Sequence, residues 1–463
     1  MKRLFPVVGL ALCLAGTVSV FSCLGAGQSP KPGRPAARPN IIVIVADDLG
    51  YGDLGCQGGR DIPTPNIDSL ARNGVRFSNG YVSCPVCSPT RAGLMTGRYQ
   101  QRFGHEFNPG APAQAGAEFG LPLTERTLAD FLQAAGYVTG MVGKWHLGLK
   151  PQFHPLKRGF SEYFGFLHGA HSYINAKADP QNLILRGAEP VDEKEYLTEA
   201  FTREALAFLE RHHQGPFFLY LTYNAVHAPL QAPEKYLSRF SQITDPKRRT
   251  YAAMLSAMDD GVGAVLKKLR DSGAEDNTLI FFISDNGGPT QNNGSSNAPL
   301  RGNKAQLWEG GIRVPFLIQW KQRLAAGLVY DQPVIALDIL PTALAAAGIA
   351  TPKTPPLDGV NLLPFVTGKS KRPPHEALYW RFGTNSAIRL GDYKLLKLGA
   401  RPLQLFDLQA DVGERHDLAP QKPEVVKALA AKLKAWDAQL ATPRWGGAPA
   451  RAAQRAARPR GNR

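Results

Sequence analysis

Residues 40–48 read NIIVIVADD, a run of consecutive β-branched residues that ends on two aspartates. A continuous apolar run of this kind is a strand buried on both faces, as in the interior of a parallel sheet. Similar runs recur at 138–142, 216–223, 278–284 and 314–320, separated by helical patterns such as 125–135 and 249–271. Strands alternating with helices predict a doubly wound α/β sheet with helices on both sides. Ligands of such sheets sit beyond the carboxyl ends of the strands, which is where Asp47 and Asp48 fall. After a helical stretch at 333–348 the pattern changes to short runs at 377–381, 386–390, 393–398 and 403–408, with Gly, Asp and Asn between them. That spacing predicts an antiparallel meander, and the amphipathic stretch 423–440 a helix covering it. The expected division is a main domain at 40–369 and a small α+β subdomain at 370–440.

The chain has 463 residues, 43% hydrophobic and 20% charged, which excludes a wholly disordered, collagen-like or polytopic membrane protein. Its five cysteines are too few for a disulfide scaffold. The net charge of +16 invites a nucleic-acid reading, but most of it is terminal. Residues 1–39 carry five basic side chains and no acid, and 441–463 carry six and no acid, which leaves +5 for the body. No nucleic-acid partner is therefore expected, and 441–463 reads as a disordered basic tail. Lys2 and Arg3 precede an apolar run and then small residues, the layout of a signal peptide over 1–26, followed by a Pro-rich linker at 27–39. A membrane-spanning anchor is the competing reading, and Cys23 also fits a lipobox, in which lipidation would supply the sole membrane contact. The expected location is periplasmic or secreted, with a lipid-anchored form as the variant.

Asp47 and Asp48 would repel each other unless donors or a cation compensate them. Alone, such a pair is better read as a loop or helix cap. The stretch LIFFISDNGG places Asp285 and Asn286 after another buried strand, so both pairs can enter one crevice. Three carboxylates and an amide oxygen suit a hard cation, Ca²⁺ or else Mg²⁺. Between them lies CPVCSPTRAGLMTGRY, residues 84–99. Cys84 and Cys87 could be half of a zinc site, but no second CxxC or spaced His pair accompanies them; a disulfide between the two is another reading. The remaining pattern is C-x-P-x-R at 87–91, followed by Ala92, Leu94, Thr96 and Gly97.

With these residues the chain resembles the type I sulfatases, the formylglycine-dependent, arylsulfatase- and N-acetylgalactosamine-6-sulfatase-like branch of the alkaline phosphatase superfamily. The likeness runs from about residue 39 to 440, through PNIIVIVADDLGYGDLGCQG, TPNIDSLARNGVRFSNGY, CSPTRAGLMTGRY, TGMVGKWHLG, HAPL, ISDNGG, LRGNK, GGIRVPFLIQW and LFDLQADVGERHDLA in order. It implies an alkaline-phosphatase-like mixed sheet between helices. It also implies that a maturase oxidises Cys87 to formylglycine, reading Pro89 and Arg91. By the same resemblance Asp47, Asp48, Asp285, Asn286 and residue 87 hold Ca²⁺. Lys144 binds sulfate and the aldehyde hydrate, and His146 is the base for sulfate release. His227 and Lys304 bind sulfate and protonate the leaving oxygen, and Arg91 braces the hydrate. Lys144 and His146 lie two apart, as residues on one side of an extended segment do. His171, with His105 and His168, falls in stretches that resemble substrate-facing loops, and His171 is a candidate substrate ligand; a structural histidine is an equal reading for each. Cys56 and Cys84 read as buried thiols, and Glu309 and Arg313 as structural. The function implied is cleavage of O-sulfate esters, on a sulfated saccharide or an aryl sulfate. The alternatives are a phosphate mono- or diester hydrolase of the same superfamily, disfavoured by the C-x-P-x-R cysteine, and a non-catalytic glycan-binding relative.

Overall fold

The computed structural model describes residues 38–110, 116 and 118–446. The expected signal peptide, Cys23, nearly all of the linker and the tail beyond Gly446 lie outside the described residues, whereas 441–446, expected to belong to a disordered tail, is bound to Gln101 and Gly104 with Trp445 buried. Strand Asn40–Ala46 is central, with every residue buried. Its side chains alternate between two cores. Ile41, Val43 and Val45 pack with Phe218, Tyr220 and Phe281, while Ile42, Ile44 and Ala46 pack with Leu219, Leu221 and Phe282. Burial on both faces is why the run shows no polar alternation.

The main sheet has ten strands in the order 328–330, 75–77, 316–319, 278–284, 40–46, 217–222, 138–144, 162–166, 185–186, 189–190. The strands from 278–284 through 162–166 are parallel. Strand Phe316–Gln319 runs antiparallel to both its neighbours, and Leu185–Arg186 antiparallel to Glu162–Phe166, so the sheet is mixed. A parallel return needs a crossover helix. The chain between Ser284 and Phe316 holds only two helices of four residues each, and it comes back down the sheet instead. One face carries helices Pro65–Arg72, Leu197–His212 and Pro246–Asp271; the other carries Cys87–Thr96, Leu128–Ala134 and Ile339–Ala346.

Two helix starts differ from the expected ones because of capping. Thr127 and Asp130 form a capping box, which moves the start to Leu128. Asp245 accepts from the Lys247 amide with Pro246 behind it, which starts the long helix earlier than 249. The meander is formed by Ala377–Phe382, Asn385–Leu390, Tyr393–Lys397 and Gln404–Asp407, all antiparallel. Helix Pro423–Asp437 lies on it, with Trp436 stacked 5.2 Å from Tyr379. Leu378, Trp380 and Ile388 join the same core as Val43, so the meander is fused to the main sheet's packing. Among the described residues no helix is long and apolar enough to cross a membrane.

Candidate active site

The parallel register decides what meets at the carboxyl end of the sheet. Ala46 pairs with Ser284, so Asp47–Asp48 and Asp285–Asn286 leave adjacent strands side by side. The Asp48 amide donates to Asp285 Oδ1 at 3.2 Å, and Asn286 Nδ2 to Asp48 Oδ1 at 2.7 Å. Strand Val138–Lys144 ends on Lys144 two places along the sheet, and the loop after Phe217–Thr222 carries His227.

Helix Cys87–Thr96 points its head into this crevice, with all ten residues buried. Cys87 Sγ lies 3.6 Å from Asp47 Oδ1. Arg91, one turn on and so on the same helix face, donates through Nε and Nη2 to Asp285 Oδ2 at 3.0 and 2.9 Å and through Nη1 to the Lys144 carbonyl at 2.9 Å. Lys144 Nζ is 2.6 Å from Asp47 Oδ2, and Lys304 Nζ 2.6 Å from Asp48 Oδ1. His227 Nε2 faces Asp48 Oδ2 at 3.6 Å, and its Nδ1 donates to the Ala228 carbonyl at 2.5 Å. The Tyr173 hydroxyl bonds the carbonyls of Asn224 and His227 and so fixes that loop.

Burial sets the charge states here and the neighbours then divide them. Burial raises the Asp47 carboxyl and Asp285 adds to it, against Lys144, His227 and Arg91. On Asp48 burial is outweighed by Lys304 and His227, so its pKa is lowered; on Asp285 burial is outweighed by Arg91, Lys144 and Lys304, and it falls to about 2. Burial pushes the Cys87 thiol up to about 12 in spite of Lys144 and Lys304, so as a cysteine it stays protonated and unreactive at neutral pH. Lys304 is held well above its ordinary value, with Cys87, Asp48 and Asp47 outweighing burial. Burial, then Lys144 and Arg91, hold His146 well below its ordinary value, which keeps the imidazole neutral.

The donor set fits a hard cation. One ligand atom each from Asp47, Asp48, Cys87 and His227 lies within 4.8 Å of all the others. Asn286 Oδ1 is buried with no hydrogen-bond partner, although its own Nδ2 touches Asp48. An unsatisfied amide oxygen beside carboxylates is what an oxygen-seeking divalent ion would fill. His227 Nε2 borders this tight group, and Asp285 lies beside it with Oδ1 on the Asp48 amide and Oδ2 on Arg91.

The extended geometry expected of Lys144 and His146 is not kept. The strand stops at Lys144, and His146 has φ +59°, a left-handed backbone. Its amide donates to the Leu167 carbonyl at 3.1 Å, and its ring lies so near Gly169 that a Cβ there would sit 2.6 Å from Cε1. His171 is not brought to the cluster. Its ring lies 5.2 Å from Phe166, Nδ1 donates to the Ser172 carbonyl, and burial lowers its pKa, with Ser172, Asp179 and Asn182 as the opposing neighbours. His168 sits 5.9 Å from the His146 ring and bonds the Gly110 carbonyl. Cys56, Cys84 and Cys87 are all free thiols, so Cys84 and Cys87 form no disulfide. Glu309 and Arg313 lie in a buried ion cluster behind the site with Tyr81 and Lys394. Tyr173 and Gly169 went unnoticed in the sequence, because their contacts are long-range and no local pattern marks them.

The model of the family described as Sulfatase matches residues 39–349, and that described as N-sulphoglucosamine sulphohydrolase, C-terminal, matches 302–439. N-acetylgalactosamine-6-sulfatase of Mus musculus is 37% identical over 412 residues, 83% of this chain and 76% of that protein. The uncharacterized sulfatase YdeN of Escherichia coli (strain K12) is 36% identical over 409 residues, 76% of this chain and 70% of that protein. The crystal structure of Ps i-CgsB in complex with k-i-k-neocarrahexaose superposes with a TM-score of 0.85 at 39% identity, covering 91% of this chain and 98% of that one.

Proposed function

The chain belongs to the sulfatase family and is a sulfuric ester hydrolase, and from that premise we propose that it is exported and removes O-sulfate from sulfated saccharides, using a formylglycine made from Cys87 and a bound calcium ion. The observation that carries this reading is the convergence of three carboxylates and three cationic side chains on the C-x-P-x-R cysteine at a helix head. Relatives named N-acetylgalactosamine-6-sulfatase and a neighbour solved in complex with k-i-k-neocarrahexaose support a saccharide substrate. The thiol's high pKa supports the modification, since an unmodified Cys87 would be a poor nucleophile. When present, the aldehyde hydrate supplies one hydroxyl for attack on sulfur and a second whose deprotonation expels sulfate. Asp47, Asp48, Asp285, Asn286 and residue 87 would hold calcium, which would supply Lewis-acid charge to the nucleophile and the sulfate.

The chain's own residues then have the following work. Lys144 and Lys304 stand on Asp47 and Asp48 and present positive charge to the sulfate oxygens, which gain charge as the ester bond breaks. Arg91 ties Asp285 to the Lys144 carbonyl and holds the floor of the site. A carbonyl can only accept, so His227 Nδ1 carries a proton for Ala228, and Nε2 is the atom that exchanges a proton with the pocket. A proton on Nε2 is stabilised by Asp48 Oδ2 and is available to the leaving alcohol oxygen. His146, neutral, accepts a proton during sulfate release. The division into 40–369 and 370–440 and the maturase as partner complete the proposal, with lipidation at Cys23 as the variant of export by a cleaved signal peptide.

The test is steady-state hydrolysis of matched sulfate and phosphate esters of one saccharide by protein made in a host that contains a formylglycine-generating maturase. Preference for sulfate is expected. Preference for phosphate would move the protein to the phosphohydrolase reading, and binding without hydrolysis of either to the glycan-binding one.

A further inference from the structure

Ser88, next to Cys87, has one hydroxyl proton and two close partners. Its Oγ lies 2.6 Å from the His146 carbonyl and 2.7 Å from His105 Nε2. A carbonyl can only accept, so the proton goes to His146, and His105 must donate from Nε2 to Ser88 Oγ. Burial takes the His105 pKa down to about 3, against the Gly120 backbone, and keeps the ring neutral. The Ser88 amide donates to Asn108 Oδ1 at 3.0 Å. Both polar groups of Ser88 are thus held by residues of the loop 105–108. Ser88 in turn holds the carbonyl of His146, whose left-handed backbone is strained and persists only where neighbours fix it.

That loop is held from outside by the chain beyond the last helix. Ala441 and Arg444 donate backbone bonds to the carbonyls of Gln101 and Gly104 at 3.0 and 2.9 Å. Gly104 has φ +75°, and a Cβ on it would sit 2.7 Å from the Thr442 carbonyl. Trp445 is 2% exposed and stands edge-on to His105 at 4.7 Å. Its Nε1 reaches the carbonyls of Phe107 and Asn108 at 2.9 and 3.1 Å.

We propose that residues 441–446 are a positioning strap, in which Trp445, His105 and Ser88 together fix the head of the Cys87 helix against the backbone of His146. None of the three need touch substrate. They are positioning residues, and their effect on turnover rests on the roles given above to residue 87 and His146. A misplacement of about 1 Å can cost on the order of a hundredfold in rate, so the strap governs kcat more than KM.

The experiment compares Trp445→Ala, Trp445→Phe, His105→Phe and His105→Gln with the parent chain. Gln can place an amide N–H where His105 Nε2 donates; Phe keeps the ring packing but has no donor. Amide hydrogen exchange, read on protein with Cys87 unmodified, should rise about tenfold or more, equivalent to about 1.4 kcal/mol, in peptides spanning 86–96 and 144–148 for Trp445→Ala and His105→Phe. His105→Gln should stay near the parent. In matured protein Trp445→Ala and His105→Phe should lose about ten- to a hundredfold in kcat with KM within about twofold. Faster exchange confined to 101–108 and 441–446 with kcat unchanged, or His105→Gln behaving as His105→Phe, overturns the proposal. If Trp445→Ala does not fold, the His105 pair and Trp445→Phe decide. A parent chain that releases no sulfate would refute the proposed function, while the exchange measurement still decides the strap.

Discussion

Replacing Lys394 by methionine tests the buried ion cluster that backs the site. Lys394 is fully buried in strand Tyr393–Lys397, with Nζ 2.9 Å from Glu309 Oε1 and 2.8 Å from Glu414 Oε1. Both glutamates are themselves buried. Glu309 opens the segment Glu309–Ile312, whose Gly310 carbonyl would lie 1.8 Å from a Cβ on Gly287, two residues past Asp285. Without the lysine, Glu309 keeps Tyr81 at 2.6 Å and Arg313 at 3.5 Å, while Glu414 keeps the Glu309 amide at 2.7 Å. Methionine nearly matches the volume, so the loss is that of breaking a buried pair from one side, about 3–5 kcal/mol. The pH dependence has a definite sign. In the parent, burial of Glu309 is outweighed by Lys394, then Arg313 and Arg389, which hold it at about 2, below its ordinary 4.5. That contribution to stability is present above pH 4.5 and is lost as pH falls toward 2. In Lys394→Met both Glu309 and Glu414, which burial already holds at about 7 in the parent, lose their nearest cation and move up. The folded variant then retains a proton that the unfolded chain has lost, and its deficit grows with pH by about 1.4 kcal/mol per unit in that window. Urea unfolding of both proteins at pH 5 and pH 8 reads the difference. A deficit below about 1 kcal/mol at pH 8, or one equal at the two pH values, would refute the reasoning.

Other perturbations act on the chemistry itself. Chelation of divalent metal, or Asp285→Ala, should lower turnover by on the order of a hundredfold or more, with calcium restoring the chelated parent; activity surviving both would remove the cation from the site. His227→Ala should lose far more on a sulfated oligosaccharide than on an activated aryl sulfate, because only the former leaving group needs a proton; equal losses in kcat/KM would take that role from His227. Gly169→Ala should cut kcat by about tenfold or more through displacement of the His146 ring, with its methyl 2.6 Å from Cε1. Unchanged kcat in that variant would show that the ring has room.

The sheet and the acidic pairs were legible because their causes are local. Residues 40–46 and 278–284 are apolar throughout because both faces are covered, and the acids follow directly at the strand ends. Strands such as Val75–Phe77, Leu185–Arg186 and Leu328–Tyr330 were not legible, being two or three residues long and set by pairing with distant chain. The direction of Phe316–Gln319 depends on what the preceding loop builds, not on its own residues. At the site, C-x-P-x-R is local and the Cys87–Arg91 spacing is one helical turn. His171 does lie in a loop, as its stretch suggests, but the packing of its ring on Phe166 has no local signature. The turn at His146 was hidden, since a left-handed non-glycine residue is fixed by its partners, Leu167 and Ser88, and not by its type.

The proposed function turns on residue 87 acting as a regenerable hydroxyl nucleophile and not as a thiol. The direct measurement is the time course of alcohol and sulfate release by Cys87→Ser beside the matured parent, counted per protein molecule on one sulfate ester. Serine offers a hydroxyl for attack but no second hydroxyl to expel sulfate. The variant is expected to fold, release at most one equivalent of alcohol, keep the sulfate as a mass increment on the peptide containing residue 87, and stop, while the parent turns over. Sustained release of both products by Cys87→Ser at the parent's rate would contradict it.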